Sequence, residues 1–403
     1  MNPPDVFVFD DRVADGFDPF SLTRPCGEIL YGRWCVRERV ARATGTIVAG
    51  HVTRPWLAAY VEAGAPPVVR PGSIDAGKAR LFWSSRAVPT TDLPTGGEAN
   101  IRIDGMLAGV VLGPGAETPE RDWFDSPEPV DRALNVDVDG EWLDAPWDLV
   151  AGAPGRLRAD LETLGDRLGD HRDRLPDYVH VLGDAPVALG DGATLEPGVL
   201  IDTRGGPVEL GPAVEVRAGT RLEGPVFADH HSRLLGGAIS TLAAGPFSYL
   251  RGELEEVTAF GYCNKAHDGF IGHAVIGRWV NLGAMTTNSD LKNNYGTVRM
   301  GPPEAAVDTG LVKLGCLLGD HVKTGIGALL NTGTTIGAGS NVYGSAMPPK
   351  WVPPFSWGEG EELTEYRCDA FVETAMKVMA RRGVEVDERM RTGLEAVWGE
   401  ARG

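Results

Sequence analysis

The sequence predicts an α/β domain, then an all-β parallel β-helix, then a short helical tail. Two observations carry the prediction. Apolar strand-like runs alternate with breaker-poor stretches over the first third of the chain, as in an open α/β sheet. From Thr258 to Ser345, aliphatic-Gly pairs recur with a period of about six, the spacing of flat-sided coils in which each strand turns one side chain inward.

Taken in order, residues 6–9 (VFVF) read as a short buried strand ending at Asp10 and Asp11. Residues 28–43 hold few breakers and read as a helix; 46–52 are strand-like, 54–63 helical after Thr53, and 65–71 a loop. Strand candidates follow at 80–83, 100–103 and 107–112. Residues 147–174, with Leu149, Leu157, Leu161, Leu164 and Leu168, read as a helix leading out of the domain. From Tyr178 that pattern stops, and Leu182-Gly183, Leu189-Gly190 and Leu210-Gly211 mark imperfect early turns. The regular coils are AVIGRWVNLGAMT and, after the polar insert NSDLKNNYG, CLLGDHVKTGIG and TTIGAGSNVYGS, with glycine expected to permit the corners. Residues 351–360 (WVPPFSWGEG) read as a proline-bounded connector, and 363–398 as two amphipathic helices broken at Gly383. The expected domains are 1–175, 176–350 and 351–403.

A net charge of −18 argues against a nucleic-acid surface, which draws on clustered Lys and Arg. The five cysteines form no C-x-x-C pair, the pattern of reduced thiols in a cytoplasmic protein. The first residues, MNPPDVFVFDD, carry an apolar run too short for a signal peptide, and no stretch reaches the length of a membrane span. The 54 glycines and 29 prolines fall at turn-like places, which suits a turn-dense β fold.

The segment FGYCNKAHDGFIGHAVIGRWVNLGAMTTNSDLKNNYG resembles the left-handed β-helix of the bifunctional N-acetylglucosamine-1-phosphate uridyltransferase/glucosamine-1-phosphate acetyltransferase (GlmU-like) family. It is closer to an alternative bacterial branch of that family, marked by an FDD…PLTxTRP-like start and a SNKAHDG-like segment. Those features stand here as FDD (9–11), PFSLTRP (19–25), CNKAHDG (263–269) and FSWG (355–358). The resemblance implies a hexapeptide-repeat acyltransferase domain, acetyl-CoA as co-substrate, an amino sugar phosphate as acceptor and a homotrimer. His267 matches the family's catalytic base, and Asn281 a residue that helps hold the site. Asn294 and Tyr295 match the pair that contacts the amino sugar phosphate, with Arg251, Lys265 and Lys292 as candidates for its phosphate. The residue types suit the chemistry, because an ammonium must lose a proton before it attacks a thioester, and imidazole ordinarily accepts protons near neutrality. One departure is Phe270, where the family carries Tyr three residues after the His. Lys323 and Lys350 near the later coils are placed to meet coenzyme A phosphates, but read rather as solvated surface charge.

Residues 19–39 resemble the second part of the sugar nucleotidyltransferase signature, which implies a Rossmann-like nucleotidyltransferase domain using a nucleoside triphosphate such as UTP. In place of that family's glycine-rich loop stands FVFDDRVADGF, so Arg12 and Arg24 are the candidates to meet nucleotide phosphate. Asp10, Asp11 and Asp104 are the candidates to hold Mg2+. The whole then reads as a sugar-nucleotide enzyme that makes a UDP-N-acetylglucosamine-like precursor for the cell envelope. The alternative is a sugar-1-phosphate nucleotidyltransferase whose β-helix serves only assembly or regulation. A zinc site of the kind found in some β-helix trimers is not suggested, since His230, His231, His267, His273 and His321 lack the spacing for three converging ligands.

Overall fold

The computed structural model describes residues 3–131 and 133–402. The chain divides into two compact units, one comprising Met1–Ile29, Trp34–Pro146 and Val386–Gly403, the other Leu30–Arg33 and Trp147–Glu385.

The first unit is built on a six-stranded sheet of β1 (Asp5–Phe9), β2 (Val48–Val52), β3 (Arg80–Ser84), β4 (Ala99–Ile103), β5 (Met106–Leu112) and β6 (Leu134–Asp137), in the order β2-β1-β3-β5-β4-β6. β1 runs parallel to both its neighbours, and β5 is antiparallel to β3 and β4. A strand flanked on both sides and covered on both faces has no solvent side, which is why DVFVF is nearly all apolar rather than alternating. Its Phe7 stacks on Phe82 of β3 at 5.4 Å, and Phe9 meets Phe124 edge-on at 5.4 Å.

Three expected helices are shorter than their sequence patterns. Of residues 28–43 only the later part is helical, as α1 (Val36–Thr44), because the Cys35/Glu38 capping box starts it and left-handed Gly45 ends it. Residues 54–63 hold one 3-10 turn, Pro55–Ala59. Residues 147–174 break into Asp148–Ala151, α2 (Ala153–Leu164) and two 3-10 turns. The break falls at Gly152, where a Cβ would sit 2.0 Å from the Tyr31 hydroxyl.

The second unit is a parallel β-solenoid. Its long strands β7 (Thr220–Ala228), β8 (Gly237–Ala244), β9 (Glu253–Ala259) and β11 (Phe270–Ile276) stack in parallel, then β12 (Cys316–Leu318), β14 (Thr334–Ile336) and β15 (Trp351–Val352) continue the same face. On a second face lie β10 (Asn264–Lys265) and β13 (Lys323–Thr324). The register aligns Ala228, Ala244, Ala259, Ile276, Leu318, Ile336 and Val352 as one inward column. The solenoid runs past the expected boundary: β15 completes a coil, and Trp357-Gly358 pair with Asn341-Val342, so residues 351–358 are coil rather than connector.

Each coil turns three corners, at Phe247, Gly252 and Glu256 in one and at Tyr262, Gly269 and His273 in the next, all with positive φ. At the first corner the left-handed residue is His231, Phe247, Tyr262, Trp279, His321 or Phe355 in six of the coils, and glycine, Gly339, in another. Ring stacking along this edge, from His231 through Phe247 and Tyr262 to Trp279 with centroids 4.1–5.0 Å apart, offsets the cost of that conformation. The glycine two places earlier serves another need. A Cβ on Gly277 would lie 2.7 Å from the Asp320 backbone nitrogen, so glycine is there to let successive coils approach.

The two tail helices fall in different units. α3 (Cys368–Ala380) buries Phe371, Val372, Ala375 and Met379 in the second. α4 (Glu388–Glu400), capped by Asp387, belongs to the first. Among the described residues, no helix is long and apolar enough to cross a membrane.

Candidate functional site

His267 lies just before the second corner of its coil, between β10 and β11, and is exposed. The residue that fixes this corner is Lys265. The register stacks it on Leu250, Leu234 and Val216, so it occupies a core position, 2% exposed, at the end of a run of aliphatics from the preceding coils. Its Nζ donates to the backbone carbonyl of His267. Burial pushes the Lys265 ammonium down to about 8, with Asp268 opposing. Lys265 therefore braces the corner from inside, and its expected contact with substrate phosphate does not fit its burial. The His267 imidazole has no hydrogen-bond partner among the described residues. Asp268, beside it, pairs with Arg251 at 2.9 Å. Asn281 lies one coil on, and its Oδ1 accepts from Asn264 Nδ2 at 2.8 Å. Lys265, His267 and Asn281 are thus brought onto two neighbouring coils.

Lys292, Asn294 and Tyr295 lie elsewhere. Their insert leaves the solenoid at the third corner of the following coil, directly after Asn288. Between that corner and the second one runs the flat strand of residues 270–272, about 10 Å long at ~3.3 Å per residue. Within one chain the insert and His267 therefore sit at different corners. Lys292 and Asn294 line a cleft of about 410 Å³ together with Ser289, Asn331, Thr332 and Lys350. Asn294 Oδ1 accepts from Gly296 N at 3.1 Å, and Tyr295 is 72% exposed outside the cleft lining.

Sequence reasoning missed the setting of three residues here. Lys350, read as surface charge, lines the cleft with Lys292. Lys323, read likewise, is largely buried; its Nζ donates to the His321 carbonyl at 3.0 Å and burial pushes it down to about 8. His273 holds Asp290 at 2.8 Å through Nδ1 and faces Glu256 at 3.4 Å through Nε2. These partners are 17 residues away on adjacent coils, a pairing that only an assigned coil register reveals.

In the first unit three of the expected phosphate and metal residues, Asp10, Asp11 and Arg24, are already engaged. Asp10, 1% exposed, accepts from Cys26 N at 3.1 Å and from the Thr53 hydroxyl, and faces Arg54 at 3.3 Å. Asp11 accepts from Ala14 N at 2.8 Å and from Arg86 at 2.8 Å. Asp104 lies at the turn joining β4 and β5, with β3 and β5 standing between β4 and β1 in the sheet. Three strand steps of ~4.8 Å put it about 14 Å to the side of the other two. It lines a separate groove of about 520 Å³ with Asp92, Asp137 and Asp139. Among the described residues no group of three or more His, Cys, Asp or Glu is arranged to hold a metal ion. Asp10, Asp11 and Asp104 do not fit a shared Mg2+. Arg24 is buried and paired with Glu62 at 3.1 Å, which removes it as a free phosphate ligand, whereas Arg12 is exposed. Nearby, the buried Glu28 carboxylate joins His51 at 2.6 Å and Arg37 at 2.7 Å. Burial pushes Glu28 up, but the hydrogen bonds and charges of these two partners prevail and hold it down at about 2.

Residues 6–167 match the family described as sugar nucleotidyl transferase. A bifunctional sugar-1-phosphate nucleotidylyltransferase/acetyltransferase of Sulfurisphaera tokodaii is 30% identical over 117 residues, 26% of this chain and 29% of that protein. Two proteins named bifunctional protein GlmU are also similar. That of Syntrophomonas wolfei is 29% identical over 178 residues, covering 39% of each chain. That of Nocardia farcinica is 27% identical over 242 residues, 54% of this chain and 44% of the relative. The chain thus spans less than half the length of each of these curated relatives. The chain carries a sugar nucleotidyl transferase domain at residues 6–167 with a parallel β-solenoid following it in sequence, and over part of its length it is similar to GlmU-like bifunctional proteins.

Proposed function

We propose that the chain is a transferase of sugar-nucleotide biosynthesis whose solenoid moves an acetyl group from acetyl-CoA to the amine of glucosamine-1-phosphate or a related amino sugar phosphate. The observation that carries this reading is His267, exposed and braced by Lys265 on a solenoid of the kind expected from GlmU-like relatives. His267 takes a proton from the substrate ammonium, and the freed amine attacks the thioester carbonyl. A C–N bond forms, the C–S bond breaks, and coenzyme A leaves as thiolate to be reprotonated. Asn281 positions the acceptor beside His267, and Asn294 and Tyr295 contact it from the insert. Because the insert and His267 occupy different corners of one chain, this site is completed in a homotrimer, where the corner of one copy meets the insert of the next. The nucleotidyltransferase-family domain takes the sugar phosphate and a nucleoside triphosphate such as UTP, toward a UDP-N-acetylglucosamine-like product in the cytoplasm.

The test is release of coenzyme A thiol from acetyl-CoA and glucosamine-1-phosphate by the wild type beside His267→Ala. Release that disappears in the variant supports the reading. No release from a folded wild type, across several amino sugar phosphates, overturns it and leaves the solenoid as an assembly element. That second reading is favoured by the absence, among the described residues, of a hydrogen-bond partner orienting the His267 ring.

A further inference from the structure

We propose that His273 is a positioning residue for the acetyl transfer: it clasps both limbs of the polar insert to the coil and so sets where Asn294 and Tyr295 stand. This rests on the proposed function, in which those two residues contact the amino sugar phosphate. The insert leaves the solenoid after Asn288, and its limbs close on each other where Leu314 N donates to the Asp290 carbonyl at 2.8 Å. Both limbs then reach His273. On the outgoing limb the Asp290 carboxylate accepts from His273 Nδ1 at 2.8 Å, which places a ring proton on that nitrogen. On the returning limb Gly315 N donates to the His273 backbone carbonyl at 2.9 Å.

The clasp is closely fitted. A Cβ on Gly315 would lie 1.9 Å from the Gly272 carbonyl oxygen, and one on Gly272 would lie 3.0 Å from Asp290 Oδ2. Two glycines thus admit the limbs to the coil beside His273. The solenoid itself does not ask for imidazole at this corner. The register puts Thr241 and Glu256 at the same corner of the two preceding coils, with the same left-handed backbone, and neither carries an insert on the coil that follows. The His273 ring is buried, with the Glu256 carboxylate facing Nε2 at 3.4 Å. Lys313 also ties the returning limb, to Glu255 at 3.1 Å, but both partners are exposed, and such pairs contribute little. Asn294 and Tyr295 stand only four and five residues beyond Asp290, so the neck limits where they can reach. Loosening it weakens contacts made alike to bound substrate and transition state, which raises KM and spares kcat.

Steady-state acetyl transfer and backbone amide exchange over residues 291–313 of the full chain test this, for wild type, His273→Thr, Asp290→Ala and His273→Asn. Threonine already holds this corner at Thr241, so His273→Thr keeps the coil and removes the ring. Asp290→Ala breaks the same link from the insert side. His273→Asn restores a side-chain N–H near the place of Nδ1 and tolerates a left-handed backbone. In the first two variants KM for glucosamine-1-phosphate should rise about tenfold, with kcat and KM for acetyl-CoA within about twofold of wild type and exchange in the insert about tenfold faster. His273→Asn should recover most of both losses. Unchanged exchange in His273→Thr and Asp290→Ala overturns the proposal, as does faster exchange with KM for glucosamine-1-phosphate unmoved. Equal loss in His273→Asn and His273→Thr also overturns it, since the ring would then only fill space. If the wild type releases no thiol with glucosamine-1-phosphate, the acetyltransferase reading fails by itself, and exchange that still quickens in both variants upholds the clasp.

Discussion

Lys265 donates from inside the solenoid to the backbone carbonyl of His267, so a buried cation holds the corner on which the exposed imidazole sits. The contact joins a cost to a use: an ammonium in an aliphatic column is unfavourable, and its hydrogen bond to the corner carbonyl offsets part of that.

That cost sets a pH dependence. The folded-state pKa of Lys265, about 8, lies below its ordinary 10.5, so the unfolded chain binds more protons between these values. Its contribution to stability is complete above 10.5 and is lost as pH falls through 8. Urea midpoints of the wild type should therefore rise from pH 8 to pH 10. Lys265→Met should keep only the part of this rise that Lys323, also pushed down to about 8, supplies. An identical rise in both proteins would refute the assignment.

For His267→Ala, acetyl transfer should fall by about 10²–10⁴-fold, the usual worth of a general base, while the melting temperature stays unchanged because the side chain is exposed. Steady-state rates beside a thermal melt check both halves.

Breaking the buried Glu28–His51–Arg37 cluster should be expensive. Glu28→Gln leaves Arg37 and His51 without their shared carboxylate and should cost about 3 kcal/mol at pH 7. The ionised Glu28 stabilises above its ordinary 4.5, and that stability is lost as pH falls through about 2. The gap between wild type and variant in chemical denaturation should accordingly close as pH is lowered from 5 toward 2.

At Gly277 a methyl group would press on the Asp320 backbone of the next coil, 2.7 Å away. Gly277→Ala should destabilise the solenoid by about 1–3 kcal/mol through forced separation of coils. A melting curve indistinguishable from wild type would show that the coils can part without cost.

Much of this protein is legible in its residues alone. The VFVF run is a buried strand because a central parallel strand has no polar face to show, and the aliphatic-Gly period is a solenoid because only small residues admit coils about 4.8 Å apart. His267 is likewise local, a motif residue at a turn. What tertiary structure alone decided are pairings across coils and strands. Asp10 and Asp11 read as metal ligands until Arg54 and Arg86, more than 40 residues away, arrive to neutralise them. Lys265 and Lys350 are both lysines in polar stretches, yet one points into the core and the other lines a cleft. A strand sends alternate side chains to opposite faces, so only the register, fixed by the neighbouring coil, turns Lys265 of β10 inward, whereas Lys350 precedes β15 and stays exposed.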